Sequence, residues 1–175
     1  MRYRIGITIF ALLTALSCSP NAALAETNRF SNSKSLAQKN TGFNADAVQS
    51  LIDKGDSAAS SGNLEEAKRN YDQARSASKQ LLSFYRDLSG SFRGLDARIP
   101  REMDAKGRKV LVLLARTNLR LASLFRRQNQ PEIAVPVLVE VVKLMSPAKP
   151  EGQKAYQRLL ELGFVETPYS AAGFN

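Results

Sequence analysis

Histidine is absent from this 175-residue sequence, and cysteine occurs once, at Cys18. The lack of histidine removes the general base on which Ser-His and Cys-His nucleophile pairs depend. Together the two shortages exclude zinc sites of the Cys/His type and any intrachain disulfide. The Ras-type phosphate loop and the dinucleotide glycine fingerprint are missing as well. Ser76-Ala77-Ser78-Lys79 and Ser31 to Lys34 fit the S-x-x-K string of the penicillin-binding serine acyltransferases. The companion S-D-N and K-T-G strings are absent, and the chain is far too short for that fold. A non-catalytic protein without cofactor or metal is therefore expected. No apolar run approaches the roughly 20 residues that span a bilayer, so an integral membrane body is not expected either.

The N-terminus has a different character. Arg2 and Arg4 precede an apolar stretch from Ile5 to Leu16, Pro20 then interrupts it, and Ala23-Leu24-Ala25 supplies small residues. This is the pattern of a secretory signal peptide, residues 1–25, cleaved after Ala25. Ser17-Cys18 offers a lipoprotein reading, which Ala15 and Leu16 fit poorly. Export to the periplasm is expected, or to the thylakoid lumen in a photosynthetic source. Cleavage would remove two arginines and no acid, lowering the formal charge of +9 by two. The remaining basic body would be drawn to anionic partners or surfaces.

Residues 26–43 are polar without a consistent apolar period, and read as a disordered leader. From Asn44 the pattern is helical. Asn44 can cap a helix carrying Val48, Leu51, Ile52, Gly55, Ala58 and Ala59, which stops at Ser61-Gly62. Asn63, with Glu66 three residues on, starts a second helix that ends at Gly90. Ser91 to Pro100 reads as a loop, followed by a long helix from about Arg101 to Gln128. Another runs from Gln130-Pro131 to Met145, and a last one from Pro150 to Gly163. Ile133 to Leu144 is rich in β-branched residues and would suit a strand, but it has no partner strand, and Pro136 would break a ladder bond. A helix is preferred. The helical domain spans 44–163, and 164–175 reads as a flexible tail.

The stretch KGDSAASSGNLEEAKRNYDQA, Lys54 to Ala74, carries a more specific signal. Gly55 and Ala58 fall on the first helix, Gly62 at its turn, and Ala67, Tyr71 and Ala74 on the second. Two antiparallel helices approach to about 8–10 Å only where small residues sit at the crossing. The segment from Val48 to Leu81 resembles a tetratricopeptide repeat, a helix-turn-helix unit of about 34 residues. A weaker match runs from Ala115 to Ala148, through Leu121, Ala122 and Phe125, then Ala134, Leu138 and Val141. Ala67 and Ala134 are 67 residues apart, close to two repeat lengths, so a worn middle unit is expected between them. The resemblance implies an all-α, right-handed array of antiparallel hairpins closed by a C-terminal capping helix. A generic helical bundle would give the same helices.

What the resemblance implies about function is a scaffold that holds a protein segment, such as an assembly factor or adaptor. On the longest helix, Lys109, Arg116, Arg120 and Arg127 project as one stripe at about 100° per residue. The stripe reads either as the solvated side of an amphipathic helix or as a surface for a partner's acidic segment. Some members of the family clamp a peptide's terminal carboxylate with such a pair as Arg116 and Arg120. That clamp also needs Lys and Asn on an earlier repeat, where this sequence has Ile52 and Asp56. Contact with anionic lipid or envelope polymer is the competing reading, and an accessory subunit docking through Ile133 to Met145 is another. Nucleic acid is an unlikely partner, since no recognition motif accompanies the charge.

Overall fold

Asn44 accepts a hydrogen bond from the Ala47 amide at 2.8 Å and so starts the first of the five helices among the described residues. The computed structural model describes residues 42–169, and the signal peptide expected over residues 1–25 and all but the end of the leader expected over 26–43 lie outside them. Among the described residues there is no strand. The helices are α1 (Ala45–Ser60), α2 (Leu64–Ser91), α3 (Arg98–Arg127), α4 (Pro131–Met145) and α5 (Pro150–Glu161).

Local chemistry sets most of the boundaries. Gly62, at φ +84°, makes the left-handed turn between α1 and α2. Such a backbone suits glycine because it has no Cβ to clash. Asn63 accepts from the Glu66 amide at 3.2 Å and donates to the Glu66 carboxylate at 2.8 Å, which closes the cap from both sides. Asn129, at φ +56°, turns the chain from α3 into α4, and asparagine tolerates that conformation better than most residues. Pro131 and Pro150 occupy the first helical positions of α4 and α5, where no amide donor is needed. The β-branched run from Ile133 to Leu144 is helical throughout, with Pro136 inside the helix.

Three expectations need correction around the middle of the chain. Gly90 does not terminate α2, which runs on to Ser91; the left-handed glycine is Gly94, at φ +88°. The loop is shorter than Ser91 to Pro100, because Asp96 accepts from the Arg98 amide at 2.9 Å and α3 begins there. Pro100 is then a first-turn residue, which a helix accepts. No separate helix pair lies between α2 and α3 in the interval from Ala67 to Ala134. That interval is filled by the length of two helices, 28 residues in α2 and 30 in α3, each more than 40 Å at about 1.5 Å per residue.

Consecutive helices pack as antiparallel neighbours, and α3 also touches both α1 and α5. The backbones of α2 and α4 make no such contact. They are bridged by side chains instead, Arg75 and Lys79 of α2 to Glu140 of α4. Two apolar clusters result. One joins Val48, Ile52, Ala74, Leu81, Tyr85, Met103 and Val110 of α1, α2 and α3. The other joins Ala58, Ala67, Tyr71, Ala122, Phe125, Ala134, Leu138 and Leu159 across all five helices. The small residues noted in the sequence are buried, with Ala67, Ala74, Ala122 and Ala134 fully enclosed. Asn118 is buried in α3, and neither side-chain oxygen nor nitrogen finds a partner. An unpaired buried amide costs about 1–3 kcal/mol, and nothing in the structure explains its presence.

Beyond α5 the chain turns back. The Phe164 amide donates to Leu159 O at 3.1 Å, and Val165 packs on the larger cluster. Tyr156 donates to Thr167 O at 2.8 Å and meets the Tyr169 ring edge-on. Residues 170–175 lie outside those described. At the other end, Phe43 meets the Phe84 ring edge-on.

Candidate functional site

The contacts of α3 with α1 and α5 place the three odd-numbered helices side by side. Cross-links between them fix their sense. Arg120 and Arg127 of α3 reach Asp56 and the Ala59 carbonyl of α1. Arg116 and Arg126 of α3 reach Glu151 and Glu161 of α5, at 3.2 and 2.9 Å. In each case later residues meet later residues, so α1, α3 and α5 run parallel. Residues on this face line two depressions. A small one of about 100 Å³ lies where α1 and α2 meet α3. A larger cleft of about 420 Å³ opens between α3 and α5. Ser123 borders both.

At the first depression three helices are tied by one carboxylate. Arg120 Nε donates to both oxygens of Asp56, at 2.6 and 2.9 Å, and the Tyr71 hydroxyl donates to Asp56 Oδ1 at 2.6 Å. Burial works against ionisation of Asp56, but the hydrogen bonds from Arg120 and Tyr71 and the guanidinium charge outweigh it and hold the carboxyl below its usual range. Burial and the bond to Asp56 push the Tyr71 phenol well above its ordinary value. Tyr71 reaches Asp56 because Gly55 lets its ring lie directly on α1: a Cβ on Gly55 would stand 2.4 Å from the ring.

The depressed Asp56 value has a consequence for acid stability. A carboxylate with a lower pKa when folded contributes stability that is complete above its ordinary value of 3.8 and lost as the pH falls through the folded value. Both partners are more than a third exposed, so solvent screening limits the contribution to about 1 kcal/mol. Asp56→Asn is expected to lose about that much at pH 7 and to lose less than the parent on acidification below pH 4. Denaturant midpoints at pH 7 and pH 3 measure both. Equal acid sensitivity in parent and variant would contradict it. Glu140, lowered by Lys79 and Arg75 against the cost of its burial, keeps part of the acid response in either protein.

The basic stripe read from the sequence is thus largely an intramolecular seam. Arg116 pairs with Glu151, Arg120 with Asp56, and Arg127 donates to the end of α1 at 3.1 Å. Lys109 is exposed two turns before Arg116 and lines none of these depressions. Asp56, the residue that departs from the clamp pattern, is the one that neutralises Arg120. Ile52 is buried in the core. Of the remaining packing positions, Gly55, Ala58, Tyr71, Phe125 and Leu138 are buried where the helices meet, whereas Gly62 is exposed with nothing within 4 Å of an added Cβ and serves the turn, not the packing.

Two further cations enter the larger cleft from α5, and the sequence reading passed them over. Lys154 is exposed, and no partner for it is found among the described residues. Arg158 is half-buried and donates to the Leu119 carbonyl at 2.6 Å, with no carboxylate in ion-pair range among the described residues. Burial, and the nearby charge of Arg126, work against its charged form. Their four-residue spacing was the available signal, since residues one turn apart share a helix face. Lys79 of the S-x-x-K string pairs with Glu140 at 3.0 Å, and Ser78 bonds the Ala74 carbonyl. Among the described residues no His, Cys, Asp or Glu group could hold a metal, and no helix is long and apolar enough to cross a membrane.

No known protein family matches the chain, and neither a curated protein nor a solved structure matches it.

Proposed function

We propose that this protein is an exported, non-catalytic scaffold of the tetratricopeptide-repeat type, which holds a segment of another protein against α1, α3 and α5. The observation that carries the reading is the parallel alignment of the odd helices, with the even helices behind them. In such repeats the first helix of each hairpin lines the binding wall. Further support comes from the pairs Arg116–Glu151 and Arg126–Glu161, each 35 residues apart in sequence, close to the length of one repeat. On this reading α1–α2 and α3–α4 are two units and α5 is the capping helix, right-handed as a whole. Its place of work is the periplasm or a thylakoid lumen.

Ser123 gives a direct test, because it borders both depressions. The tagged full chain is expressed in its own cells, cross-linked in place and purified at low and high salt, beside Ser123→Trp. One discrete protein held through high salt by the parent and lost in Ser123→Trp is the expected result. A partner retained equally by the variant would place binding elsewhere. Material lost from both as salt rises would favour contact with an anionic lipid or polymer surface instead.

A further inference from the structure

Charge balance in the α3–α5 cleft points to a ligand of particular chemistry. Four cations line it, Arg116, Arg120, Lys154 and Arg158, against the single carboxylate of Glu151. The protein itself accounts for two of them, through Glu151 and Asp56. Lys154 and Arg158 are left, one helical turn apart on α5. Arg158 is the more telling of the two. The nearest carboxylate, Glu161, favours the charged form of Arg158 from beyond ion-pair range and is itself paired with Arg126. This half-buried guanidinium is therefore only partly compensated, and removing charge from water without a full counter-charge is unfavourable. That contact uses one Nη of Arg158, and a guanidinium carries five N–H donors in a planar fork that suits a carboxylate.

We infer that the α3–α5 cleft is a binding site for two side-chain carboxylates of an acidic, extended segment of a partner protein, with Arg158 and Lys154 as the recognising groups. The inference rests on the protein-binding reading and specifies what that face takes. The spacing supports it. Residues one turn apart on a helix have Cβ atoms about 5–6 Å apart. In an extended chain, residues i and i+2 point to the same side, about 6.5–7 Å apart. The side chains of a Glu-x-Glu pair therefore start from about the same spacing as those of Lys154 and Arg158. The groups are side chains of α5, and the segment needs no free C-terminus.

The test uses the tagged protein purified from its own cells and a labelled, end-capped peptide containing Glu-Ser-Glu, with Gln-Ser-Gln and inorganic phosphate as comparators. Binding is followed by anisotropy at about 0.1 M salt, where surface charge is screened beyond roughly 10 Å. The Glu peptide is expected to bind and the Gln peptide not. Arg158→Gln should weaken the Glu peptide about tenfold or more, and Lys154→Gln about threefold. Arg69→Gln, an equal charge loss on the exposed side of α2, should change it less than about twofold. Lys154 is exposed and has no internal partner to lose, so its variant keeps the test valid if Arg158→Gln unfolds; thermal melts report that. Equal weakening by all three variants, or no binding of the Glu peptide, would overturn the site. Phosphate competing as well as the Glu peptide would overturn the carboxylate assignment. If the cross-linked partner of the parent is still captured by Lys154→Gln and Arg158→Gln, the scaffold reading stands without this site.

Discussion

Gly152→Ala is expected to destabilise the protein by about 3 kcal/mol, lowering Tm by about 10 °C. Elsewhere in a helix the same change is favourable, by up to about 1 kcal/mol. At Gly152 the new Cβ would stand 2.0 Å from the Ser146 carbonyl oxygen and 2.6 Å from its carbon. These are backbone atoms at the end of α4, where Ser146 already holds a positive φ of 57°. They cannot swing aside as a side-chain tip would, so the turn must open and α5 must shift. Ala155 and Leu159 would leave their places in the larger cluster, and Arg158 its place on Leu119. Gly90→Ala provides the contrast, because nothing lies within 4 Å of its added Cβ. It should gain a few tenths to about 1 kcal/mol. A Gly152→Ala melt within about 2 °C of the parent would show that the α4–α5 turn is not tight.

The second large effect is expected at Gly55. An alanine there meets the Tyr71 ring at 2.4 to 3.0 Å. Tyr71 is 3% exposed, and its ring can withdraw only by moving α2 from α1 or by shifting toward the small depression it lines with Arg120 and Arg127, which breaks its bond to Asp56. The cost should be about 2–3 kcal/mol from overpacking. Loss of the Tyr71–Asp56 hydrogen bond adds about 1 kcal/mol. The two contributions can be separated. Tyr71→Phe should cost about 1 kcal/mol in the parent and close to nothing in Gly55→Ala, where the bond is already broken. An undiminished cost of Tyr71→Phe in the double variant would mean that the ring keeps its place.

The contrast among these glycines bears on how much could be read from the sequence. Helix starts were legible wherever a side chain does the capping, at Asn44 and Asn63, or where proline fits a first turn, at Pro131 and Pro150. Those signals are local, so the chain carries them in order. The apolar spacing of Ala67, Tyr71 and Ala74 marked a buried face for the same reason. Pro100 misled, since proline breaks a helix in its interior and suits one at its start, and the sequence alone does not show that the helix begins at Arg98, whose amide donates to the Asp96 side chain. Gly90 misled because a glycine near a helix end resembles a cap until φ is known. The site was less legible than the fold. Asp56 with Arg120 is a pair 64 residues apart, and no local pattern announces it. The α3 cations could be picked out as a stripe, but whether they are free depends on the acceptors that α1 and α5 bring to Arg116, Arg120 and Arg127. Lys154 and Arg158 stand out only once those pairs have been made.

The packing pattern of the helices governs how the chain folds. Every helix packs against its neighbour in sequence or the next but one, so few contacts require distant segments to meet first. Closing short loops costs little entropy, and domains built from local contacts fold in microseconds to milliseconds. The α1–α2 hairpin can form before α4 and α5 are available, and α3 can then serve as the surface on which they settle. A chain delivered across a membrane N-terminus first could acquire structure in the order in which it emerges, with each helix finding its partner already in place.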